Sequence, residues 1–126
     1  MSDRCPLDSN VFIYAASPGH PDAASLVADG EFAYSAITTV EVLGDHRLDE
    51  TSRALFTALF AAGTRAEVTP TTCELAIELR RLRRMSLGDA LVAATALERG
   101  WPLVSANVDD FRWIPGLALR PLRAPG

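Results

Sequence analysis

Acidic residues recur beside the apolar segments of this chain, at positions where they could meet. Asp8 directly follows the first apolar segment, Glu41 comes soon after the second, and Asp89, Asp109 and Asp110 flank a later one. Mg²⁺ binds oxygen ligands, takes only a few carboxylates and keeps water molecules for substrate phosphates. Acids of this kind would hold a divalent cation and activate water if the fold brings them together.

The elements that must position these acids are short strands and helices in alternation. We predict a first strand that ends near residue 8 and further strands at 32–37, 65–69, 102–105 and 117–119. A helix is predicted after residue 8, and others at 22–29, 38–46, 49–62, 70–85 and 86–99. This alternation predicts an α/β fold with a parallel sheet covered by helices on both faces. Ligands bind such sheets at the carboxyl ends of the strands, where these acids are expected to converge.

Each acid also has a structural interpretation. The segment from Thr38 to Glu41 fits a capping box, with Thr38 as the N-cap and Glu41 as the third helical residue. The segment from Ser86 to Asp89 fits this pattern more loosely, and Asp8 could cap a helix. Taken singly, each acid is better explained by capping. Capping does not explain why Asp8 directly follows an apolar strand, however, and the acids together favour a site that combines both roles.

Length and composition favour one soluble domain over residues 1–126. The chain has 126 residues, of which 48% are hydrophobic and 22% charged, the usual mix of a globular domain. No apolar run approaches the roughly 20 residues that span a bilayer, and no cleavage pattern follows the polar N-terminus. We therefore expect a cytoplasmic protein that does not contact a membrane. The net charge of −4 argues against binding nucleic acid by bulk charge, but a metal-dependent nuclease is compatible with it.

The basic residues are all arginines, and four of them crowd the end of the helix predicted at 70–85. They are Arg80, Arg81, Arg83 and Arg84. Arginine makes bidentate contacts with phosphate, so this cluster is a candidate RNA contact. Arginines at a helix C-terminus also stabilise the helix dipole and solvate its surface, so a purely structural role stays open.

Apolar stripes and cysteines complete the expectations for the core. Three stripes are predicted to face it: Leu75, Leu79 and Leu82; Leu87, Leu91, Ala94 and Leu97; and Leu55, Phe56, Leu59 and Phe60. Cys5 and Cys73 are predicted to be separate buried thiols, and no Cys/His spacing is typical of zinc.

Four segments, in order along nearly the whole chain, resemble the motifs of the PIN domain family. The first is Leu7-Asp8-Ser9-Asn10, and the second runs from Ser35 to Gly44 around Glu41. The third is Ser86-Leu87-Gly88-Asp89-Ala90, and the fourth runs from Leu103 to Phe111. The nearest likeness within the family is to VapC-type toxins of bacteria and archaea.

This resemblance implies a five-stranded parallel sheet flanked by helices, and an acidic centre that binds Mg²⁺ or Mn²⁺. Asp8 and Asp89 would bind the metal and Glu41 would complete the centre. It implies a metal-dependent endoribonuclease that hydrolyses RNA phosphodiester bonds, acts as a toxin, pairs with an antitoxin protein and forms a homodimer.

The fourth motif departs from the commonest family pattern. Many members have Thr-x-Asp where this chain has Ser105-Ala106-Asn107. The resemblance makes Asn107 and Asp110 candidates for metal or water binding, and Asp109 a weaker one. Ser9 and Ser105 replace the more usual threonine and keep its hydroxyl, and Asn10 completes the first motif.

Two other functions compete with the nuclease. A binding module would keep the fold with little catalysis and act through an antitoxin or through dimerisation, for which the stripe from Leu55 to Phe60 is a candidate surface. Intact acids at Asp8, Glu41 and Asp89 argue against it. A receiver-like domain also has an Asp after its first strand, but it needs a late lysine, and this chain has no lysine.

Overall fold

Short strands and helices alternate along the chain, which confirms the predicted α/β class. The computed structural model describes residues 5–28 and 30–122. Its strands are β1 (Cys5–Pro6), β2 (Phe32–Ser35), β3 (Thr64–Ala66), β4 (Leu103–Ser105) and β5 (Leu119–Pro121). Its helices are α1 (Ser9–Ala15), α2 (Pro21–Ala28), α3 (Ala36–Leu43), α4 (Glu50–Ala62), α5 (Pro70–Leu82) and α6 (Leu87–Arg99), with a 3₁₀ turn at Val108–Asp110.

The described strands pair in parallel, in two short sheets. The first sheet has three strands in the order β1-β2-β3, and β4 pairs with β5 in the second. A single parallel bridge joins Leu7 to Val104 and sets the end of β1 beside β4. The carboxyl ends of β1 and β4 therefore lie at one edge. One continuous sheet of five strands stays a prediction.

An aromatic cluster packs α1 and α4 against β2. The ring of Phe12 meets Phe32 edge-on, with centroids 5.5 Å apart, and meets Tyr34 in the same way at 5.9 Å. Phe60 lies 4.8 Å from both Phe12 and Tyr34. The Tyr34 hydroxyl donates to the carbonyl of Phe60, so the buried phenol keeps a hydrogen-bond partner. This cluster fixes the helix that begins directly after Asp8.

Helix α6 forms the centre of a second core. All seven residues from 90 to 96 are buried, and four of them are alanines, whose small side chains allow close packing. The helix ends at Gly100, as predicted, where a φ of 67° gives the left-handed conformation that glycine adopts easily. Because its central turns are enclosed, α6 is a rigid support for Asp89 in its first turn.

Helix α5 is shorter than predicted and turns a different face inward. It ends at Leu82, which is 69% exposed, and Leu87 at the start of α6 is 56% exposed, so both predicted core positions are wrong. The Thr72 hydroxyl is fully buried and donates to Glu98 at 2.6 Å, which ties α5 to α6. That bond rotates α5 so that Thr72, Ala76 and Leu79 face the core.

Two further expectations change once burial is known. Cys73 is exposed, so the prediction of a buried thiol is wrong there, because its position on α5 lies next to the inward-facing Thr72. The side chain of Cys5 lies outside the described residues. In α4, Phe56 and Phe60 belong to the core, while Leu55 is exposed, so most of that stripe is occupied within the chain. None of the described helices is long and apolar enough to cross a membrane.

Candidate active site

Asp8 stands at the junction of the two sheets. Its backbone N–H donates to the carbonyl of Val104 at 2.9 Å, next to the bridge between Leu7 and that residue. It is also the N-cap of α1, and its Oδ1 accepts from the backbone N–H of Ser9 at 2.9 Å. Sheet and helix both constrain this backbone. The capping role predicted for Asp8 is therefore confirmed, and it leaves the second carboxylate oxygen for another partner.

That second oxygen is held from the other sheet. The Ser105 hydroxyl, fully buried at the end of β4, donates to Oδ2 of Asp8 at 2.9 Å. The same hydroxyl accepts from the backbone N–H of Asn107 at 2.9 Å, which sets the direction of its proton. Asp8 is only 3% exposed. One donor from the next residue and one from 97 residues away thus orient a buried carboxylate. Asn10 is the second residue of α1 and is half-buried.

Glu41 lies on α3 and takes no part in capping it. The helix begins at Ala36, and its N-cap is Ser35, whose side chain accepts from the N–H of Ile37. The predicted capping box from Thr38 to Glu41 is therefore wrong, because the strand runs directly into the helix three residues earlier. Thr38 is buried within the helix, and its hydroxyl has no hydrogen-bond partner among the described residues. Helix capping therefore does not explain the acid at position 41.

The Glu41 carboxylate lies against the backbone of Gly88. A Cβ placed on Gly88 would stand 2.3 Å from Oε2 of Glu41 and 2.8 Å from its carboxyl carbon, far inside van der Waals contact. Although the Glu41 side chain as a whole is exposed, its charged end is therefore held beside the first turn of α6. Because Gly88 has no side chain, the Glu41 carboxylate can lie beside the residue that precedes Asp89 in sequence.

Asp89 belongs to the third motif and Asp110 to the fourth. Asp89 is the third residue of α6, where its N–H donates to the N-cap hydroxyl of Ser86 at 3.1 Å, as predicted. Asp110 closes the 3₁₀ turn after β4, and its carbonyl accepts from the Trp113 indole at 3.0 Å. Asp109 is exposed and pairs with Arg112 at 3.1 Å on the outer surface.

The charges of these acids affect one another. Burial raises the pKa of Asp8 above its usual value, against the lowering effect of Ser105 and Ser9, and the charge of Asp110 raises it further. Burial is also the first cause that raises the pKa of Glu41 and of Asp89, and the charge of Asp8 adds to both. Asp8, Glu41 and Asp89 are therefore each harder to ionise because of a neighbouring acid.

The donor chemistry of the site fits a hard divalent cation. Carboxylate oxygens are the ligands that Mg²⁺ and Mn²⁺ prefer, and a cation would remove the mutual repulsion of the acids. Among the described residues, no group of three or more His, Cys, Asp or Glu side chains is placed so that it could hold a metal ion by itself. Mg²⁺ usually keeps several waters and binds through one or two carboxylates, so an open arrangement suits it.

The four arginines of the predicted cluster separate into two environments. Arg83 and Arg84 line a cavity of about 240 Å³ together with Asp89 and Asp110. Arg80 and Arg81 line a larger apolar groove between α5 and α6, which contains none of the acids and which Arg84 also borders. The shorter α5 explains this separation, because Arg83 leaves the helix in an extended conformation.

A family model for the PIN domain matches residues 6–117 of the chain. The chain belongs to the PIN domain family. Its match spans all four acidic segments, so Asp8, Glu41, Asp89 and Asp110 all lie within the PIN domain. A search of curated protein sequences found no significant relative.

Solved structures with the same fold are toxin–antitoxin complexes. VapBC2 from Rickettsia felis, bound to a promoter DNA fragment, superposes with a TM-score of 0.79 at 19% identity and covers 94% of this chain and 98% of its own. VapBC-1 from nontypeable Haemophilus influenzae gives 0.76 at 21%, covering 93% and 96%. A toxin–antitoxin complex from Klebsiella pneumoniae gives 0.75 at 24%, covering 90% and 95%. At these identities the likeness supports the PIN fold of this chain.

Sequence reasoning missed the role of Gly88, and the structure makes it testable. Replacing Gly88 with alanine should stabilise α6 by less than about 1 kcal/mol, since alanine favours a helix over glycine but Gly88 is only the second residue of α6. Its Cβ would displace the flexible Glu41 carboxylate. We expect an unchanged or higher melting temperature together with about tenfold weaker Mn²⁺ binding by calorimetry, equivalent to about 1.4 kcal/mol.

A double-mutant cycle supplies the control for this prediction. In a Glu41→Ala background, the Gly88→Ala change has no carboxylate to displace, so it should leave Mn²⁺ affinity within about twofold. An equal loss of affinity in both backgrounds would mean that Gly88 acts through the helix rather than through Glu41.

Proposed function

We propose that this protein is a metal-dependent endoribonuclease and the toxin component of a VapBC-type toxin–antitoxin pair. The observation that supports it most is the buried, doubly hydrogen-bonded carboxylate of Asp8, whose charge is coupled to Glu41, Asp89 and Asp110. A structural acid would gain nothing from such neighbours, because each of them disfavours its ionised form. A site that binds a divalent cation explains all four together.

In this proposal Asp8 and Asp89 hold Mg²⁺ or Mn²⁺, which when bound lowers the pKa of a water and neutralises charge on the RNA phosphate. Ser9 and Ser105 keep the Asp8 carboxylate in one orientation. Glu41, whose carboxylate lies beside Gly88 of α6, binds the cation or orients the attacking water. These residues supply positioning, which is most of what hydrolysis of a phosphodiester requires from protein groups.

The residues that follow β4 are proposed to assist the metal site. Asp110 adds charge to the site and is proposed to bind metal or water, together with Asn107. Asp109 stays a weaker candidate, because its carboxylate pairs with Arg112 in solvent. A hydroxyl at Ser105 is sufficient for the fourth motif, since it bonds both Asp8 and the backbone of Asn107.

We further propose that residues 1–126 act as a single domain in the cytoplasm, that an antitoxin protein binds it, and that it forms a homodimer. The structural neighbours support an antitoxin partner, because those proteins were solved as toxin–antitoxin complexes. The described surface also carries large exposed apolar side chains, among them Ile77, Leu82 and Leu87, which a protein partner would cover.

The test is cleavage of a mixed RNA pool by the purified, antitoxin-free protein with Mg²⁺, with Mn²⁺ and with EDTA. We expect discrete fragments with either metal and intact RNA with EDTA. Total tRNA and ribosomes serve as further substrates, since a narrow specificity could hide activity in a random pool. Folded protein that cuts none of these substrates with either metal would reject the nuclease and favour a binding module.

A further inference from the structure

Beside the acid cluster lies a polar cavity of about 240 Å³. Three acids line it, Asp89, Asp109 and Asp110, together with Arg83, Arg84 and Trp113. Asp89 and Asp110 belong to the proposed metal site, whereas the two arginines and the tryptophan have no part in the proposed reaction.

Trp113 is fixed in place by the acidic centre itself. Its indole N–H donates to the carbonyl of Asp110 at 3.0 Å, and its ring packs against the second core on one side. The guanidinium of Arg83 lies over the ring, 5.6 Å from its centroid. An indole face that a flexible arginine side chain covers is a surface on which a nucleotide base can stack once the arginine moves to the phosphate.

A second arginine–tryptophan pair serves as a comparison for Arg83 and Trp113. Arg99 lies over Trp101 at 5.2 Å, at the far end of α6. That pair lines neither the acidic cavity nor the apolar groove. The two pairs have the same chemistry and nearly the same spacing, so only the neighbouring carboxylates and the cavity distinguish Arg83 and Trp113.

We infer that the cavity of Arg83, Arg84 and Trp113 is a nucleotide subsite for single-stranded RNA, adjoining the phosphodiester that the acid cluster would cleave. The base stacks on the face of Trp113 that Arg83 covers in the free protein, and the guanidinium groups of Arg83 and Arg84 pair with the adjacent phosphate. This inference rests on the proposed function, and it limits the predicted RNA contacts of the arginine cluster to its last two members. Arg80 and Arg81 face the apolar groove instead.

The experiment uses the two tryptophans as separate reporters. An Asp8→Asn background with Mg²⁺ keeps the RNA intact, and Asp8 does not line the cavity. In that background, Trp101→Phe leaves Trp113 as the only tryptophan, Trp113→Phe leaves Trp101, and excitation at the red edge of the absorption band avoids the two tyrosines. A short single-stranded RNA should quench the emission of Trp113 and leave that of Trp101 unchanged, because a stacked base quenches the indole that it covers.

Charge variants test the arginines of the cavity. Arg83→Gln should weaken binding of the same RNA by about three- to tenfold and lower the slope of affinity against salt by about one, as expected for one phosphate-contacting cation. Arg99→Gln, the matched control, should change affinity less than about twofold. Trp113→Leu keeps apolar packing and removes the aromatic face, so it should lose affinity while its circular dichroism stays native.

Several results would overturn the subsite. They are equal quenching of both tryptophans, quenching by duplex RNA as strong as by the single strand, or equal effects of Arg83→Gln and Arg99→Gln. The reaction and the subsite fail separately, because quenching is read without cleavage. Quenching confined to Trp113 without RNA cutting by the wild type would keep the subsite and reject the nuclease, whereas cutting without quenching would reject the subsite alone.

Discussion

Replacing Asp8 or Asp89 with asparagine should lower the rate of metal-dependent RNA cleavage by about a thousand-fold, a loss of about 4 kcal/mol of transition-state stabilisation. Asparagine has nearly the same shape but no charge, so it cannot hold a divalent cation as a carboxylate does. At Asp8 the amide oxygen still accepts from the N–H of Ser9, and the amide nitrogen can donate to the Ser105 hydroxyl. The fold should therefore survive while the chemistry is lost.

The control for this prediction is Asp22→Asn. Asp22 is an exposed acid in the first turn of α2, away from the four motifs, and its replacement makes the same change of net charge. We expect its cleavage rate to stay within about twofold of the wild type, measured as single-turnover kinetics on one labelled RNA. Equal activity of Asp8→Asn and wild type, with both shown to depend on added metal, would place the metal elsewhere.

The fold class followed from the sequence because strands and helices leave different apolar periods. Pro70 predicts the start of α5 and Gly100 the end of α6, and the alternation itself predicts the other elements to within a few residues. The errors arose where tertiary contacts outweigh local pattern. The Thr72 hydroxyl faces inward, where it donates to Glu98 of α6, and Leu82 ten residues later lies in solvent. The capping box of Thr69 and Thr72 is a local pattern, but the bond to Glu98 joins two helices and cannot be read from local spacing.

The candidate site shows the same division between local and tertiary information. Asp8 was recognised from its place after a strand, and Asp89 from its place in a helix start. The carboxylate of Glu41 is held by the missing side chain of Gly88, and the hydroxyl of Ser105 reaches Asp8 across 97 residues of sequence. Such contacts depend on the register between the two sheets, which the single Leu7–Val104 bridge sets and which the sequence does not encode locally.

The acids that would hold a metal also destabilise the metal-free fold, and this predicts how its stability depends on pH. Asp8, Glu41 and Asp89 each have a pKa raised first by burial. A raised folded-state pKa means that the native protein binds protons more tightly than the unfolded chain. The contribution of these three acids to stability is therefore greatest at acidic pH and falls as pH rises from the ordinary values of 3.8 and 4.5 through the folded-state pKa values. Asp45, Asp49 and Glu98 contribute with the opposite sign, because hydrogen bonds lower their pKa values.

A divalent cation should reverse this trend, because it binds the ionised carboxylates and competes with protons. At about one hundred times its dissociation constant, a ligand stabilises the fold by about 2.7 kcal/mol, or about 10 °C for a domain of this size. We expect the Mn²⁺-induced rise in melting temperature to be about that large near pH 8 and to shrink toward zero near pH 4. Thermal unfolding followed by circular dichroism, with Mn²⁺ or with EDTA across that range, measures both trends.

Asp89→Asn separates the two effects within one variant. It removes a repelling charge and a metal ligand together, so in EDTA near pH 8 it should melt a few degrees above the wild type, by about 1 kcal/mol. With Mn²⁺ it should melt below the wild type, because its cation site is incomplete. Such a crossing of the two melting temperatures is not expected of an acid that only caps α6, since losing a cap lowers stability with and without metal. A variant less stable than the wild type under both conditions would therefore assign Asp89 to the helix rather than to a metal.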